Sequence, residues 1–266
     1  MSAAAASGEE PDFERRFGGV RRLYGEAALR RFQAARVAIV GIGGVGSWVA
    51  EALARSAIGN LTLIDLDMLA ESNVNRQIHA LDGLFGQAKT EAMAERIQRI
   101  NPACRVETIE DFVTPENAAA LVGKDFDYLI EATDQVRAKA AIIACRARNG
   151  RPLVTAGGAG GRIAPARIGI ADLARTVQDP LLARVRSLLR KEYGFTRDPG
   201  KEFGVPAVFS AEPARHPERE GACAPPPVSA GLNCAGYGSS VCVTATFGFF
   251  AAGVALNHIA QADENA

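Results

Sequence analysis

The residues of this chain that could do chemistry begin with Gly41-Ile-Gly43-Gly44-Val-Gly46, a G-x-G-x-x-G run between two apolar segments. Glycine at such positions lets a phosphate approach the backbone where a Cβ would intrude. The start of the following helix then offers unpaired N–H groups and the positive end of its dipole. Asp65 lies 19 residues past Gly46, at the end of the next apolar run. An acid there accepts hydrogen bonds from ribose hydroxyls. These residues alone describe a generic nucleotide site, which an NAD-dependent dehydrogenase would share.

The next stretch favours ATP. Asp67, Asn73, Arg76, Gln77 and Lys89 follow, and Asp134 comes later, after a second apolar run. Arg76 and Lys89 add two cations near the glycine loop. A diphosphate bridge held by backbone groups does not need them, whereas a triphosphate does. A carboxylate at Asp134 can hold Mg²⁺ together with phosphate oxygens. ATP and Mg²⁺ are therefore the expected cofactors.

These side chains need elements to position them. Arg36–Gly41 reads as a strand, Ser47–Ser56 as a helix and Asn60–Asp65 as a strand, which together make a βαβ unit. The alternation continues with a helix over Lys89–Ile100, a strand over Arg105–Ile109 and a short helix over Glu116–Val122. Next come a strand over Phe126–Ile130, a helix over Val136–Arg148 and a strand over Leu153–Thr155. Such a pattern implies an α/β fold with a doubly wound, mainly parallel sheet. Glu26–Phe32 also reads as helical. After Gly157 the character changes. Asp179-Pro180 starts a helix, with Asp as N-cap and Pro at the first helical position. Residues 203–238 form a Pro/Gly-rich excursion. Val241–Leu256 is apolar but shorter than a bilayer requires, so it reads as a core element and no membrane is expected. The expected organisation is a disordered tail over 1–12, an ATP-binding domain over 13–160 and a C-terminal elaboration over 161–260. That elaboration holds the basic helix, the Pro/Gly-rich loop and the apolar segment.

Composition sets limits on function. The 266 residues are 48% hydrophobic and 23% charged with zero net charge. That excludes a disordered chain and a protein that coats nucleic acid over its whole surface. Arg184, Arg186, Arg190 and Lys191 nevertheless share the polar side of the helix after Pro180, with Arg175, Arg197 and Lys201 nearby. They are candidate contacts to a phosphate backbone, set against the plainer reading of a solvated helix face. The cysteines are Cys104, Cys145, Cys223, Cys234 and Cys242, with no C-x-x-C pair, so no zinc site is expected. Reduced thiols in the cytoplasm are expected instead. Cys234 sits in a glycine-rich loop and is a candidate reactive thiol; Cys104, Cys145 and Cys242 read as core. His79 and His216 read as structural or exposed.

Taken together, Gly41–Gly46, the run from Asp65 through Asn73 to Gln77, Lys89 and Asp134 resemble the adenylation domain of ubiquitin-activating enzymes and their bacterial relatives. The resemblance covers about residues 13–160 and implies a Rossmann-like adenylation fold. It also implies ribose binding at Asp65, phosphate contacts at Asn73, Arg76 and Lys89, and action through Mg²⁺ at Asp134. Arg76, Lys89 and Asp134 are thus the expected catalytic residues.

Further runs narrow the resemblance: Arg16-Phe-Gly-Gly19, Asn73–His79, Asp111–Pro115, Thr155–Gly161, Gln178-Asp-Pro180 and Val243–Gly248. They are similar to one branch of that family, the tRNA threonylcarbamoyladenosine dehydratases. That branch implies ATP-dependent cyclisation of threonylcarbamoyladenosine in tRNA through an acyl-adenylate of the threonyl carboxylate, and a homodimer. A sulfur-transfer system built on a cysteine desulfurase is a candidate partner. The alternative is adenylation of the C-terminus of a small ubiquitin-like sulfur-carrier protein. The carrier-protein activators usually have an arginine where Gly19 stands, so Arg16 and Arg22 are candidates to supply that charge, across a dimer interface.

Overall fold

The structure, a computed structural model, describes residues 11–215 and 237–262. The expected tail lies outside the described residues except for Pro11 and Asp12. Asp12 caps the first helix, its carboxylate accepting the Arg15 N–H at 3.0 Å.

The chain runs α1 (Phe13–Tyr24), α2 (Glu26–Ala34), β1 (Arg36–Val40), α3 (Gly46–Arg55), β2 (Asn60–Ile64), α4 (Lys89–Ile100), β3 (Arg105–Ile109) and α5 (Ala118–Val122). It continues through β4 (Tyr128–Glu131), α6 (Val136–Arg148), β5 (Leu153–Ala156), β6 (Ile168–Asp172), α7 (Pro180–Glu192), β7 (Pro206–Ser210) and α8 (Val241–Gln261). All seven strands join one sheet in the order β3-β2-β1-β4-β5-β7-β6. Every pairing is parallel except β6 with β7.

Side chains of a strand alternate between the two faces of its sheet. Val37 and Ile39 of β1 therefore enter one core with Leu61, Leu63 and Ile130, beneath α3, α4 and α8. Ala38 and Val40 enter the other with Ile64 and Leu129, beneath α5, α6 and α7. Burial on both faces explains why β1 and β4 read as continuous apolar runs rather than alternating ones.

The chain moves outward from β1 to β2 and β3, then returns to place β4 on the other side of β1. The carboxyl ends of β1 and β4 thus flank the point where the winding reverses, the place at which open α/β sheets bind ligands.

Two strands escape the sequence pattern. Residues 203–238 read as an irregular excursion, yet β7 forms at Pro206–Ser210 and pairs with β5 in parallel. β6 was equally hidden between glycines and a short helical turn at Pro165–Arg167. β6 carries Gly169 and Asp172 and is only partly buried, and β7 begins at a proline within a Pro/Gly-rich stretch, so neither shows the continuous apolar run of β1 or β4; Pro206 is tolerated because it is the first strand residue. The apolar C-terminal segment is one helix of 21 residues, long and apolar enough to cross a membrane by length and composition. Here it packs against α2, α3 and the sheet, with Phe247, Ala251 and Ala255 fully buried. Cys104 is buried as expected, whereas Cys145 is partly buried and Cys242 is exposed on the first turn of α8. His216, Cys223 and Cys234 lie outside the described residues.

Candidate active site

The glycine loop follows β1 directly. Gly41 adopts φ +88° and donates its N–H to the Ile64 carbonyl at 2.9 Å, which holds the loop to the end of β2. Gly46 opens α3, where a Cβ would lie 1.8 Å from the Gly41 carbonyl oxygen. Only glycine lets the helix start that close to the strand. Gly43, by contrast, faces open space. No side chain caps α3; the Ser47, Trp48 and Val49 N–H groups donate to the Gly43 and Val45 carbonyls, and the positive dipole end of the helix lies behind the glycine loop.

Asp65 is nine-tenths buried at the end of β2. One carboxylate oxygen accepts the Ile42 N–H at 2.6 Å and the other accepts the Asp67 N–H at 2.9 Å. Burial raises the Asp65 pKa, against the opposing pull of Lys89 and the two amides. The residue expected to bind ribose therefore also ties the glycine loop to the β2 end. Lys89, the first residue of α4, is buried and pairs with the half-exposed Asp67 at 2.6 Å.

Two cavities meet here. The first is lined by Gly41, Gly43, Asp65, Asp67, Phe112 and Asp134, among others. The second is lined by Gly44, Arg76, Asp134, Arg162, Asp179 and Tyr237, among others. They share the wall Ala132–Asp134, so Asp134 is the carboxylate common to both. Arg76 lays its stem over Gly44, and its guanidinium donates to the Ser72 carbonyl at 2.8 Å and to Asn75 Oδ1 at 3.0 Å.

Asn73 and Gln77 line neither cavity. Asn73 is buried and accepts the Ala70 N–H at 3.0 Å, closing the turn that presents Arg76. Gln77 is buried beside it. His79 is also buried, and burial drives its pKa down to about 4, with Lys89 and Arg96 adding like-charge repulsion. Beneath the shared wall, Lys139 pairs with Glu131 and donates to the Ala156 carbonyl at 2.8 Å, with both side chains fully buried. This pair fixes the ends of β4 and β5 from below.

Arg16 does not reach the crevice. It donates to the Ile100 carbonyl at 2.8 Å and to the Arg99 carbonyl at 3.3 Å, at the carboxyl end of α4. Arg22 is exposed on α1 and lines neither cavity. The basic cluster divides. Arg184 and Lys191 are exposed. Arg186 is half-buried and donates to Thr176 Oγ1, while Arg190 donates to the Thr196 carbonyl at 3.2 Å and lies over the Phe203 ring at 5.2 Å. Arg175 is spent on the Pro199 carbonyl at 2.8 Å.

The sequence marked Asp111–Pro115, Gln178-Asp-Pro180 and Val243–Gly248 only as runs that carry the resemblance; it did not single out Phe112 and Val113, which wall the first cavity, or Asp179 and Thr244, which line the second, and it did not name Arg162. Arg162 and Asp179 form a fully buried pair at 3.5 Å, and Asp179 also accepts the N–H of Gly158 at 3.0 Å and of Leu182 at 2.9 Å. The Asp179-Pro180 cap was visible in the sequence; its reach to the loop after β5 was not. Among the described residues, no group of three or more His, Cys, Asp or Glu side chains could hold a metal ion.

A glycine loop at the switch point of a doubly wound sheet, an acid after β2 and cations at the crevice define a nucleotide-binding α/β protein. Residues 17–169 match the ThiF family, and the chain belongs to it. It is 50% identical over 241 residues to the tRNA threonylcarbamoyladenosine dehydratase of Haemophilus influenzae, covering 90% of this chain and 91% of that one. It is 51% identical over 249 residues to the Escherichia coli protein of the same name, covering 92% and 93%. The crystal structure of the E. coli tRNA N6-threonylcarbamoyladenosine dehydratase in complex with ATP matches with a TM-score of 0.84 at 49% identity, covering 93% of this chain and 94% of that one.

Proposed function

We propose that the chain consumes ATP to dehydrate, by cyclisation, the threonylcarbamoyladenosine of a tRNA near the anticodon. The observation that carries this reading is the pair of cavities joined at Asp134. An activating enzyme must bring a nucleotide and a carboxylate together from two sides of one point. The first cavity, with Asp65 and the glycine loop, suits the adenosine and ribose. The second, with Arg76 and the start of α3, suits the phosphates and the incoming carboxylate.

In this scheme a threonyl carboxylate oxygen attacks the α-phosphorus of ATP and pyrophosphate leaves, giving an acyl-adenylate. A nucleophile of the same modified nucleoside then attacks the acyl carbon, a ring closes, and AMP and a proton depart. The oxygen lost from the carboxylate leaves in AMP, which is the dehydration. Tethering supplies a high effective molarity for ring closure. Arg76, Lys89 and the loop amides stabilise the charge that spreads over the phosphates. Gly41, Gly43, Gly44 and Gly46 shape the loop, and Asn73 and Gln77 hold the turn that carries Arg76. The donor set fits Mg²⁺, which favours one or two carboxylates plus phosphate oxygens. Asp134 would hold it, and it would neutralise phosphate charge. The balanced reaction takes no sulfur, so a cysteine desulfurase is not required by it. A cytoplasmic homodimer completes the reading: Arg16 and Arg22 miss the crevice of their own protomer, so an arm arginine would serve the site of a second copy.

The test is incubation with Mg-ATP and tRNA carrying threonylcarbamoyladenosine, followed by digestion and mass spectrometry of the nucleosides. ATP-dependent loss of one water, absent in Asp134→Ala, is the expected result. An unchanged nucleoside from folded, ATP-binding protein would move the substrate to a carrier protein.

A further inference from the structure

The second cavity has an outer end. Asp179, Pro180, Ala214 and Tyr237 line it and also line an adjoining cavity, whose wall includes Arg186. The two cavities adjoin along this shared wall, one reaching Arg76 and Asp134 and the other Arg186 on α7. Tyr237 stands at the junction, partly exposed. Its ring is seated on Gly161, where a Cβ would meet the ring edge at 3.0 Å and the Arg215 carbonyl oxygen at 2.9 Å. Gly161 has φ +72°, donates to the Gly238 carbonyl at 2.8 Å and accepts the Arg215 N–H at 2.7 Å. The backbone on both sides of the ring's seat is thus fixed, with an aromatic side chain held at the junction.

We infer that Tyr237 is the stacking platform for the modified base, which enters along the α7 side with its threonyl arm directed toward Arg76. This rests on the proposed dehydratase reading and assigns the part of the site that holds the nucleobase. The argument is one of geometry and chemistry. The carboxylate must reach the inner end of the cavity, so the base to which it is attached remains at the outer end. Proteins hold unpaired bases from RNA loops by stacking them on aromatic rings. Such stacking is sequence-tolerant and is lost when the ring is removed. The buried Arg162–Asp179 pair ties the loop after β5 to the start of α7, beside the same cavity.

The experiment compares wild type with Tyr237→Ala, Tyr237→Leu and Tyr237→Phe, all as the full chain. It reads the KM for tRNA carrying threonylcarbamoyladenosine, the Kd for ATP and the melting temperature. The alanine and leucine variants are expected to raise the KM for tRNA on the order of 10- to 100-fold, with ATP affinity and melting temperature unchanged. The phenylalanine variant is expected to stay near wild type. An unmoved KM in the alanine and leucine variants overturns the assignment, as does a parallel loss of ATP affinity. Failure of phenylalanine to rescue also overturns it, because the hydroxyl rather than the ring would then carry the effect. If the wild type itself leaves the nucleoside unchanged, the functional reading fails and the platform falls with it.

Discussion

Lys89 and Asp67 are joined at 2.6 Å, with the ammonium buried and the half-exposed carboxylate lining the first cavity. Lys89 itself lines neither cavity, so a phosphate contact would require it to exchange Asp67 for that phosphate. Lys89→Met keeps the apolar stem and removes the charge. Pyrophosphate release is expected to slow on the order of 100- to 1,000-fold, as for loss of one donor to developing charge. Asp67→Asn should cost far less. A Lys89→Met rate equal to wild type would place this charge outside the reaction.

The glycine loop separates two roles that its motif runs together. Gly46→Ala puts a Cβ 1.8 Å from the Gly41 carbonyl oxygen. It should cost more than about 3 kcal/mol of stability, read by chemical denaturation. Gly43→Ala meets nothing within van der Waals range in the free protein. Its melting temperature should match wild type while ATP affinity falls about tenfold or more, about 1.4 kcal/mol. Equal melting temperatures for the two variants would contradict this division.

His79 gives a pH signature. Its pKa drops from 6.5 to about 4 on burial. Between those values the unfolded chain binds the proton and the folded chain does not. The stability that neutral His79 contributes is thus present above about 6.5 and is lost as pH falls toward 4, by roughly 3 kcal/mol. Melting curves from pH 7 to 4 should fall less steeply for His79→Leu than for wild type. Parallel slopes would show that another group carries the acid loss.

The basic helix should respond unevenly. Arg184→Glu with Lys191→Glu should weaken tRNA binding and reduce its salt dependence, with ATP binding unchanged. Arg186→Ala should instead lower stability, because its guanidinium is held by Thr176 and the Leu173 carbonyl. Unchanged tRNA affinity in the double variant would return these side chains to a solvated helix face.

What the sequence determined by itself was local and periodic. Strands buried on both faces read as apolar runs, the glycine loop lay between such a run and a helix, and Asp65 and Asp134 stood at strand ends. From these, the mainly parallel sheet and the place of a crevice at its carboxyl edge followed. Tertiary structure decided the rest, because spacing along the chain carries no information about which distant segments meet. It made Asp65 a brace for the loop, put Asn73 and Gln77 behind Arg76 rather than in the cavities, and withdrew Arg186 and Arg190 into packing. It also recruited β6 and β7, whose Gly169, Asp172 and Pro206 interrupt the apolar run that marks the central strands but leave a backbone able to pair once β5 offers an open edge. The second cavity is the clearest case. Arg162, Asp179, Tyr237 and Thr244 have no common motif, and they form one wall only because α7 and α8 close over the carboxyl ends of β4 and β5.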